Sequence, residues 1–153
     1  MLSTGWTPVF EQMDEHTIVS GEILATISKR SKEWKVKFEV KPTLPFSAKY
    51  IFKIGGHDPS FYIMSKEKVR FHFDQNGKNT HQDFTGSPPL EKWTKMEFKQ
   101  EKEGSAYFIT ISMGEKILFK SENSTPEDKA DIDVIGGTQT CKIKSLLVEN
   151  KKK

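Results

Sequence analysis

Residues 34–41 have the sequence Trp-Lys-Val-Lys-Phe-Glu-Val-Lys, in which apolar and charged side chains alternate without a break. Successive side chains of a β-strand point to opposite faces of a sheet, so this period of two predicts a strand with one buried and one solvated face. The same alternation recurs in residues 50–54, 69–74, 94–99 and 107–111. We therefore expect an all-β chain.

Turn-forming residues separate these segments. Asn76-Gly77 lies between two such stretches and predicts a tight hairpin, because both residue types tolerate positive φ. Further strands are expected at residues 16–20, 22–28, 115–120, 131–135 and 140–149. About ten short strands without a long helical pattern predict an antiparallel two-sheet jelly-roll sandwich, formed as a single domain over residues 1–153.

Four segments resemble the laminin G-like and galectin-like domains of the concanavalin A-like superfamily. They are the strand at residues 34–43, the tryptophan-led strand at 90–98, the hairpin with a Gly-Glu-Lys turn at 109–117, and the closing pair at 132–146 that contains Gly-Gly. Their order and spacing cover residues 34–149. The resemblance implies a jelly-roll fold that binds sugars, proteins or other ligands, and the fold alone does not choose among these.

The charge and composition of the chain indicate which classes of binding partner to expect. The 24 basic and 21 acidic residues give a formal net charge of +3, and the lysines are spread along the strands, which argues against nucleic-acid binding. No apolar run approaches the ~20 residues that cross a bilayer, so membrane insertion is not expected. The start of the chain shows no signal peptide. We expect an extracellular or secreted protein, either a mature form or one exported by an unconventional route, with a cytosolic protein as the alternative.

Cys141 is the single cysteine, so an internal disulfide is excluded. The first interpretation is a small buried core residue, since free cysteine behaves as a hydrophobic side chain. The alternative is a disulfide that joins two subunits of a homodimer.

Polar residues concentrate between residues 55 and 84, where three of the four histidines lie. His72 and Asp74 share one face of their strand, and His81 and Asp83 share a face of the next strand across the hairpin turn. This mixture of donors and acceptors suits sugar hydroxyls, while an aromatic ring would pack against the apolar side of a sugar. The predicted carbohydrate-binding residues are His57, Asp58, Arg70, His72, Asp74, Asn76, Asn79, His81, Asp83 and Trp93, with Tyr62 and Phe84 as other aromatic candidates.

The galectin sugar motif is not preserved, so its residue roles cannot be carried over to this chain. Galectins carry a His-x-Asn-Pro-Arg motif and a later Trp-Gly-x-Glu segment; residues 71–76 occupy a comparable place without the Pro-Arg pair, and Trp93 is not followed by Gly-x-Glu. The prediction is a lectin for glycans or glycoproteins, with a galactoside-type sugar as the expected ligand. A laminin G-like protein-interaction or adhesion module is the alternative, and an exposed polar sheet face without a ligand is the simplest explanation of the polar cluster.

Carboxylate and amide oxygens in the same region suit Ca²⁺. The predicted ligands of a calcium-assisted site are Asp74, Asn76, Asn79 and Asp83, although their spacing matches no calcium-loop motif. A zinc site at His72 and His81 is a weaker hypothesis, because it lacks a third ligand.

Catalytic motifs are not found. Asp131 and Asp133 alternate like the carboxylates of sandwich-fold glycoside hydrolases, but Ile135 stands where a third carboxylate belongs. We therefore predict a binding protein without enzymatic activity. Asn123-Ser124-Thr125 forms a glycosylation sequon in a polar loop.

Overall fold

The computed structural model describes residues 5–12, 14–43, 50–65, 67–137 and 141–151. The β-strands in these residues are β1 (Trp6–Gln12), β2 (His16–Thr17), β3 (Ile23–Arg30), β4 (Trp34–Pro42), β5 (Tyr50–Ile54), β6 (Ser60–Ser65), β7 (Lys68–Gln75), β8 (Lys78–Thr85), β9 (Thr94–Glu103), β10 (Ala106–Met113), β11 (Lys116–Asn123), β12 (Lys129–Gly136) and β13 (Cys141–Lys151). No helix in this part of the chain is long and apolar enough to span a membrane.

The strands form two antiparallel sheets. Sheet A has the spatial order β1-β13-β4-β9-β10-β11, with β2 also pairing with β13, and sheet B has the order β3-β12-β5-β6-β7-β8. The strands β5 to β8 and β9 to β11 follow one another in sequence and in space, whereas β13 returns to lie between β1 and β4. This arrangement confirms the jelly-roll sandwich that the alternating pattern predicted.

The core lies between the two sheets and consists of the apolar members of the alternating segments. Those in β4, β7 and β9 are at most 2% exposed: Trp34, Val36, Phe38, Val40, Val69, Phe71, Phe73, Met96 and Phe98. Phe38 of sheet A contacts Phe52 and Phe61 of sheet B, with ring centroids 4.8 and 5.6 Å away. Phenylalanine rings therefore join the sheets, and such pairs add about 0.5–1.5 kcal/mol each beyond the area they bury.

Asn76 and Gly77 form the predicted hairpin turn between β7 and β8. Their φ angles are 52° and 83°, and Gln75 pairs directly with Lys78. Two consecutive positive φ angles are the geometry of a type I′ turn, whose twist matches that of the flanking strands.

A β-bulge interrupts β13 and keeps the apolar side chains on both sides of it directed toward the core. The register with β4 shifts between Lys144 and Leu147, and Ser145 has a φ of 55°. Because of this extra residue, Ile143 and Leu146 are both buried although an unbroken strand would point them to opposite faces.

Cys141 is fully buried in the core. Burial raises the pKa of its thiol to about 12. This agrees with the core interpretation, because a fully buried sulfur is not exposed to a second subunit in the folded chain.

Two features of the fold lie outside the sequence prediction. The strands β1 and β6 were not predicted, because residues 6–12 and 60–65 do not alternate strictly. At the other end of the core, Gly137 lies against β5, where a Cβ atom would stand only 1.6 Å from the Tyr50 carbonyl oxygen. Only glycine fits this close approach, which fixes the start of β5 and so the position of Tyr50.

Candidate functional site

The outer face of sheet B carries two rows of polar and aromatic side chains across β5 to β8. Directly paired residues of antiparallel strands project to the same side of a sheet. The first row follows the pairs Tyr50–Tyr62, Tyr62–Arg70 and Arg70–Asp83. These four side chains therefore form one line of about 14 Å across the four strands.

The second row lies two residues away, at a distance of about 7 Å. It follows the pairs Lys53–Ser60, Ser60–His72 and His72–His81. Ser60 is small and fully buried, and His57 lies over it with Nδ1 3.0 Å from the Ser60 hydroxyl oxygen. His57 itself belongs to the β5–β6 turn and has a φ of 63°, which directs its ring back over the sheet.

The two rows bring five rings together in what we call the histidine–tyrosine patch: Tyr50, His57, Tyr62, His72 and His81. The Tyr50–His57, Tyr62–His72, His57–His72 and His72–His81 ring centroids are 5.2, 5.1, 5.5 and 5.2 Å apart. His81 is exposed and the other four are partly exposed. The patch thus offers solvent a continuous aromatic surface with polar ring edges.

Arg70 and Asp83 border the patch as a bidentate ion pair. Arg70 Nε and Nη2 donate to the two Asp83 carboxylate oxygens at 2.7 and 3.0 Å, and Lys68 Nζ lies 3.1 Å from one of them. The hydrogen bond from Arg70 is the main reason that the pKa of Asp83 lies well below its ordinary value. Asp83 therefore stays ionised over the working pH range.

Asn79 orients His72. The Asn79 Nδ2 group donates to Asp74 Oδ1 at 2.9 Å and to the His57 carbonyl oxygen at 3.0 Å, so its Oδ1 atom is the one that faces His72. Nδ1 of His72 lies 3.4 Å from that oxygen and is its donor. Neutral His72 then carries its proton on Nδ1 and presents the Nε2 lone pair as an acceptor.

Burial lowers the pKa of both His57 and His72. For His57 the nearby charges of Lys53 and His72 add to the effect of burial. For His72 the hydrogen bond with Asn79 opposes burial without outweighing it, and the His81 charge lowers the pKa further. Both rings are therefore neutral at pH 7, and each offers one donor and one acceptor.

Asp58 lies inside the protein and not in the patch. It is 5% exposed, and its carboxylate binds Arg30 Nη2 at 2.8 Å, the Asp74 backbone N–H at 2.9 Å and Lys129 Nζ at 3.1 Å. Arg30, which is 1% exposed, also donates to the Asp58 carbonyl oxygen and stacks 4.5 Å from the centroid of Trp34. Burial by itself raises the pKa of Asp58, but the Arg30 charge and the hydrogen bonds hold it below its ordinary value.

A polar pocket of about 140 Å³ adjoins the hairpin end of the patch. Its walls include Asp74 and Asn79 from the outer face, together with Lys78, Glu127 and Lys129. Lys129 Nζ binds Asp74 Oδ2 at 2.8 Å. The pocket extends the patch with groups that donate and accept hydrogen bonds.

Asn76 holds the hairpin to the end of β11. Its Oδ1 atom accepts from the Ser124 N–H at 2.7 Å, and its own backbone N–H donates to Asn123 Oδ1 at 2.9 Å. The Gly77 N–H donates to the Thr125 hydroxyl at 2.8 Å. Asn76 is thus committed to joining the two sheets rather than to the patch.

Trp93 is on the other side of the molecule. Its ring lies 4.3 and 5.8 Å from the ammonium groups of Lys144 and Lys41, which project from the outer face of sheet A. Phe84 packs toward the core, with its ring 5.8 Å from that of Phe71. Of the aromatic residues considered from sequence, Tyr62 alone belongs to the patch.

The four predicted calcium ligands do not form one coordination sphere. Asp83 is four residues from Asn79 along β8, or about 13 Å. The oxygens of Asp74 and Asp83 are held by lysine, arginine and amide groups, and that of Asn76 accepts from Ser124. Within the described residues, no three His, Cys, Asp or Glu side chains are placed to hold a metal ion. The residues therefore do not fit a calcium site, nor a zinc site at the histidines.

Tyr50 and Lys53 were missed by sequence reasoning. Tyr50 alternates with the buried Phe52 and Ile54 and was therefore assigned to the core face, but the register between β5 and β6 shifts between Tyr50 and Phe52 and turns Tyr50 outward. Lys53 Nζ lies 5.2 Å from the Tyr50 ring centroid. The pattern contains no signal of this shift.

Neither a protein-family profile nor a curated protein matches the sequence, whereas solved structures share its fold. A heptameric pentraxin from Limulus polyphemus matches with a TM-score of 0.62 and 14% identity, over 88% of this chain and 75% of the pentraxin. The carbohydrate-binding module CBM40 of Ruminococcus gnavus IT-sialidase, bound to α2,3-sialyllactose, matches with a TM-score of 0.55 and 10% identity, over 94% and 91%. Caenorhabditis elegans galectin LEC-6 matches with a TM-score of 0.50 and 12% identity over all of both chains. The chain thus shares its jelly-roll fold with a pentraxin, a carbohydrate-binding module and a galectin, and the laminin G-like resemblance gains no support from these three structures.

Proposed function

We propose that this chain is a lectin-like carbohydrate-binding domain and that the histidine–tyrosine patch is its sugar site. The observation that carries the proposal is the cluster of five accessible rings, bordered by Arg70–Asp83 and Asn79. A sugar ring has an apolar face that packs against aromatic rings, and its hydroxyls need both donors and acceptors. Neutral histidine and the tyrosine hydroxyl supply both from the same side chains that provide the packing surface.

The shared fold supports a carbohydrate as the ligand class. One similar structure is a carbohydrate-binding module with α2,3-sialyllactose bound, and another is a galectin. Sialyllactose contains a galactoside, and a galactoside-type sugar is the first ligand that we propose. The site that we propose needs no calcium, because its oxygens are already paired with protein cations and amides.

A glycan array with and without EDTA tests the proposal. Tyr62→Ala removes a central ring of the patch, and Trp93→Ala removes an aromatic side chain on the opposite face, so the two variants form a matched pair. We expect Tyr62→Ala to weaken sugar binding at least about tenfold, equivalent to about 1.4 kcal/mol. Trp93→Ala and EDTA should leave the binding unchanged.

Two results would contradict the proposal. One is a folded protein, verified by its thermal transition, that binds no glycan on the array. The other is loss of binding in Trp93→Ala together with retention in Tyr62→Ala, which would move the site to sheet A.

A further inference from the structure

We infer that the histidine–tyrosine patch selects saccharides that carry a carboxylate or sulfate group, and that acidification strengthens their binding. This inference rests on the proposed function, since it names the ligand class and the regulation of the same site.

The first support is a surplus of positive charge on the patch. Asp83, the acidic side chain of the first row, is shared between Arg70 and Lys68. Lys53, in the second row, has no ion pair among the described residues, and its ammonium group lies over the Tyr50 ring. Asp74, at the hairpin end, is paired with Lys129. The fixed charges of Lys53, Lys68, Arg70 and Lys129, taken with those of Asp74 and Asp83, therefore sum to a positive value even when the histidines are neutral.

The second support is the availability of that charge. Arg70 uses Nε and Nη2 for Asp83, and its Nη1 group makes no hydrogen bond within the described part of the chain. Arg70 and Lys53 come from β7 and β5, on opposite sides of the β6 residue Tyr62. An acidic substituent on a sugar packed against Tyr62 would have a guanidinium N–H on one side and an ammonium group on the other.

The third support is the spacing of the imidazoles. His57, His72 and His81 form a chain with ring centroids 5.5 and 5.2 Å apart. The charged or titratable groups that face them from the packed strands are Tyr50 and Lys53 of β5, Tyr62 of β6, Lys68, Arg70 and Asp74 of β7, and Asp83 of β8. In the free protein these neighbours and partial burial oppose protonation of His57 and His72, whose pKa values are lowered.

A bound anionic ligand favours protonation of His57 and His72, which their neighbours oppose in the free protein. Its charge beside His57 and His72 favours their imidazolium form, so binding is coupled to proton uptake. The affinity then increases as the pH falls into the range in which His57 and His72 take up protons, below the ordinary histidine value. Each proton taken up contributes at most about a tenfold gain per pH unit. A neutral sugar offers no such compensation, and its affinity does not rise on acidification.

Lactose and 3′-sulfolactose form the test pair, because they differ by one sulfate that stays ionised at both pH values. Titration calorimetry at pH 7.5 should show that 3′-sulfolactose binds more tightly than lactose. At pH 5.0 the affinity for 3′-sulfolactose should be at least about fivefold higher than at pH 7.5. Lys53→Gln should reduce the preference for the sulfated sugar, and the His57→Gln/His72→Gln double variant should reduce the gain on acidification. Lys95→Gln, a lysine change on sheet A, is the control that should alter neither.

The outcomes separate the inference from the proposed function. Equal affinities for both sugars, with no pH dependence, would overturn the inference and leave the lectin proposal intact. A gain on acidification that persists in the histidine double variant would also overturn it. A protein that binds neither sugar here and no glycan on the array would remove the proposed function as well.

Discussion

Replacing Asp58 is expected to destabilise the fold far more than replacing Asp83, although both aspartates pair with an arginine. Asp58 and Arg30 have side chains that are 7% and 1% exposed, whereas Asp83 and Arg70 are 30% and 26% exposed. Asp58→Ala leaves a buried guanidinium without its counter-charge and the Asp74 N–H without its acceptor. Removing one partner of a buried pair costs about 3–5 kcal/mol, while an exposed pair contributes about 0.2–1 kcal/mol.

Urea denaturation followed by tryptophan fluorescence measures both free energies of unfolding. For a chain of this size, about 1 kcal/mol moves the melting temperature by about 2–4 °C, so Asp58→Ala should lower it by about 6–20 °C. Asp58→Asn keeps an acceptor for the Asp74 N–H and removes only the charge. Comparing it with Asp58→Ala therefore distinguishes the effect of losing the charge from that of losing the side chain. Equal destabilisation in Asp58→Ala and Asp83→Ala would refute the reasoning from burial.

The pH dependence of stability supplies a second check on Asp58. Its pKa is lower in the folded state than in the unfolded state, so its stabilising contribution is complete above the unfolded value of about 3.9 and is lost as the pH falls through the folded value. The difference in stability between wild type and Asp58→Asn should therefore shrink below about pH 4. A difference that stays constant from pH 6 to pH 3 would show that the charge is not its source.

Three further outcomes are expected. The buried Cys141 thiol should not react with a thiol reagent in the native protein at pH 8, and non-reducing electrophoresis should show no disulfide-linked dimer. Asn123, which is 4% exposed with Nδ2 donating to Gln100 Oε1 at 2.8 Å, should stay unglycosylated after expression in a secretory pathway, as mass spectrometry would reveal. Phe38→Ala should cost about 3–5 kcal/mol in urea denaturation, against at most about 0.5 kcal/mol for Val19→Ala at an exposed position.

The alternating pattern predicted the strands well because each buried side chain obeys the same local rule. Residues 34–41 form β4 with every second side chain in the core, and Asn76-Gly77 forms the turn between β7 and β8. The pattern failed where an extra residue shifts the register. The bulge at Ser145 and the shift after Tyr50 depend on how two strands meet, which one strand's sequence does not contain.

Two adjacent residues of the polar cluster lie in different environments, because contacts from other strands decide which of them is buried. His57 and Asp58 are neighbours in the turn after β5, yet His57 covers the outer face and Asp58 is buried against Arg30. The sequence showed a polar turn, but the cation that draws Asp58 inward comes from β3. Trp93 was assigned to the site by residue type alone, and it immediately precedes β9, a strand of the other sheet.

The strands that carry the histidine–tyrosine patch, β5 to β8, are consecutive in sequence, whereas the strand that closes the sandwich comes from another part of the chain. The five rings of the patch come from one continuous stretch, residues 50–81, whose strands are joined by short connections. Closure of the sandwich depends instead on β13, which comes from the far end of the chain to lie between β1 and β4. Short connections cost little loop-closure entropy, so the segment that carries the patch can assemble from local contacts. Its exposed side chains can change without matching changes in the strand that closes the domain.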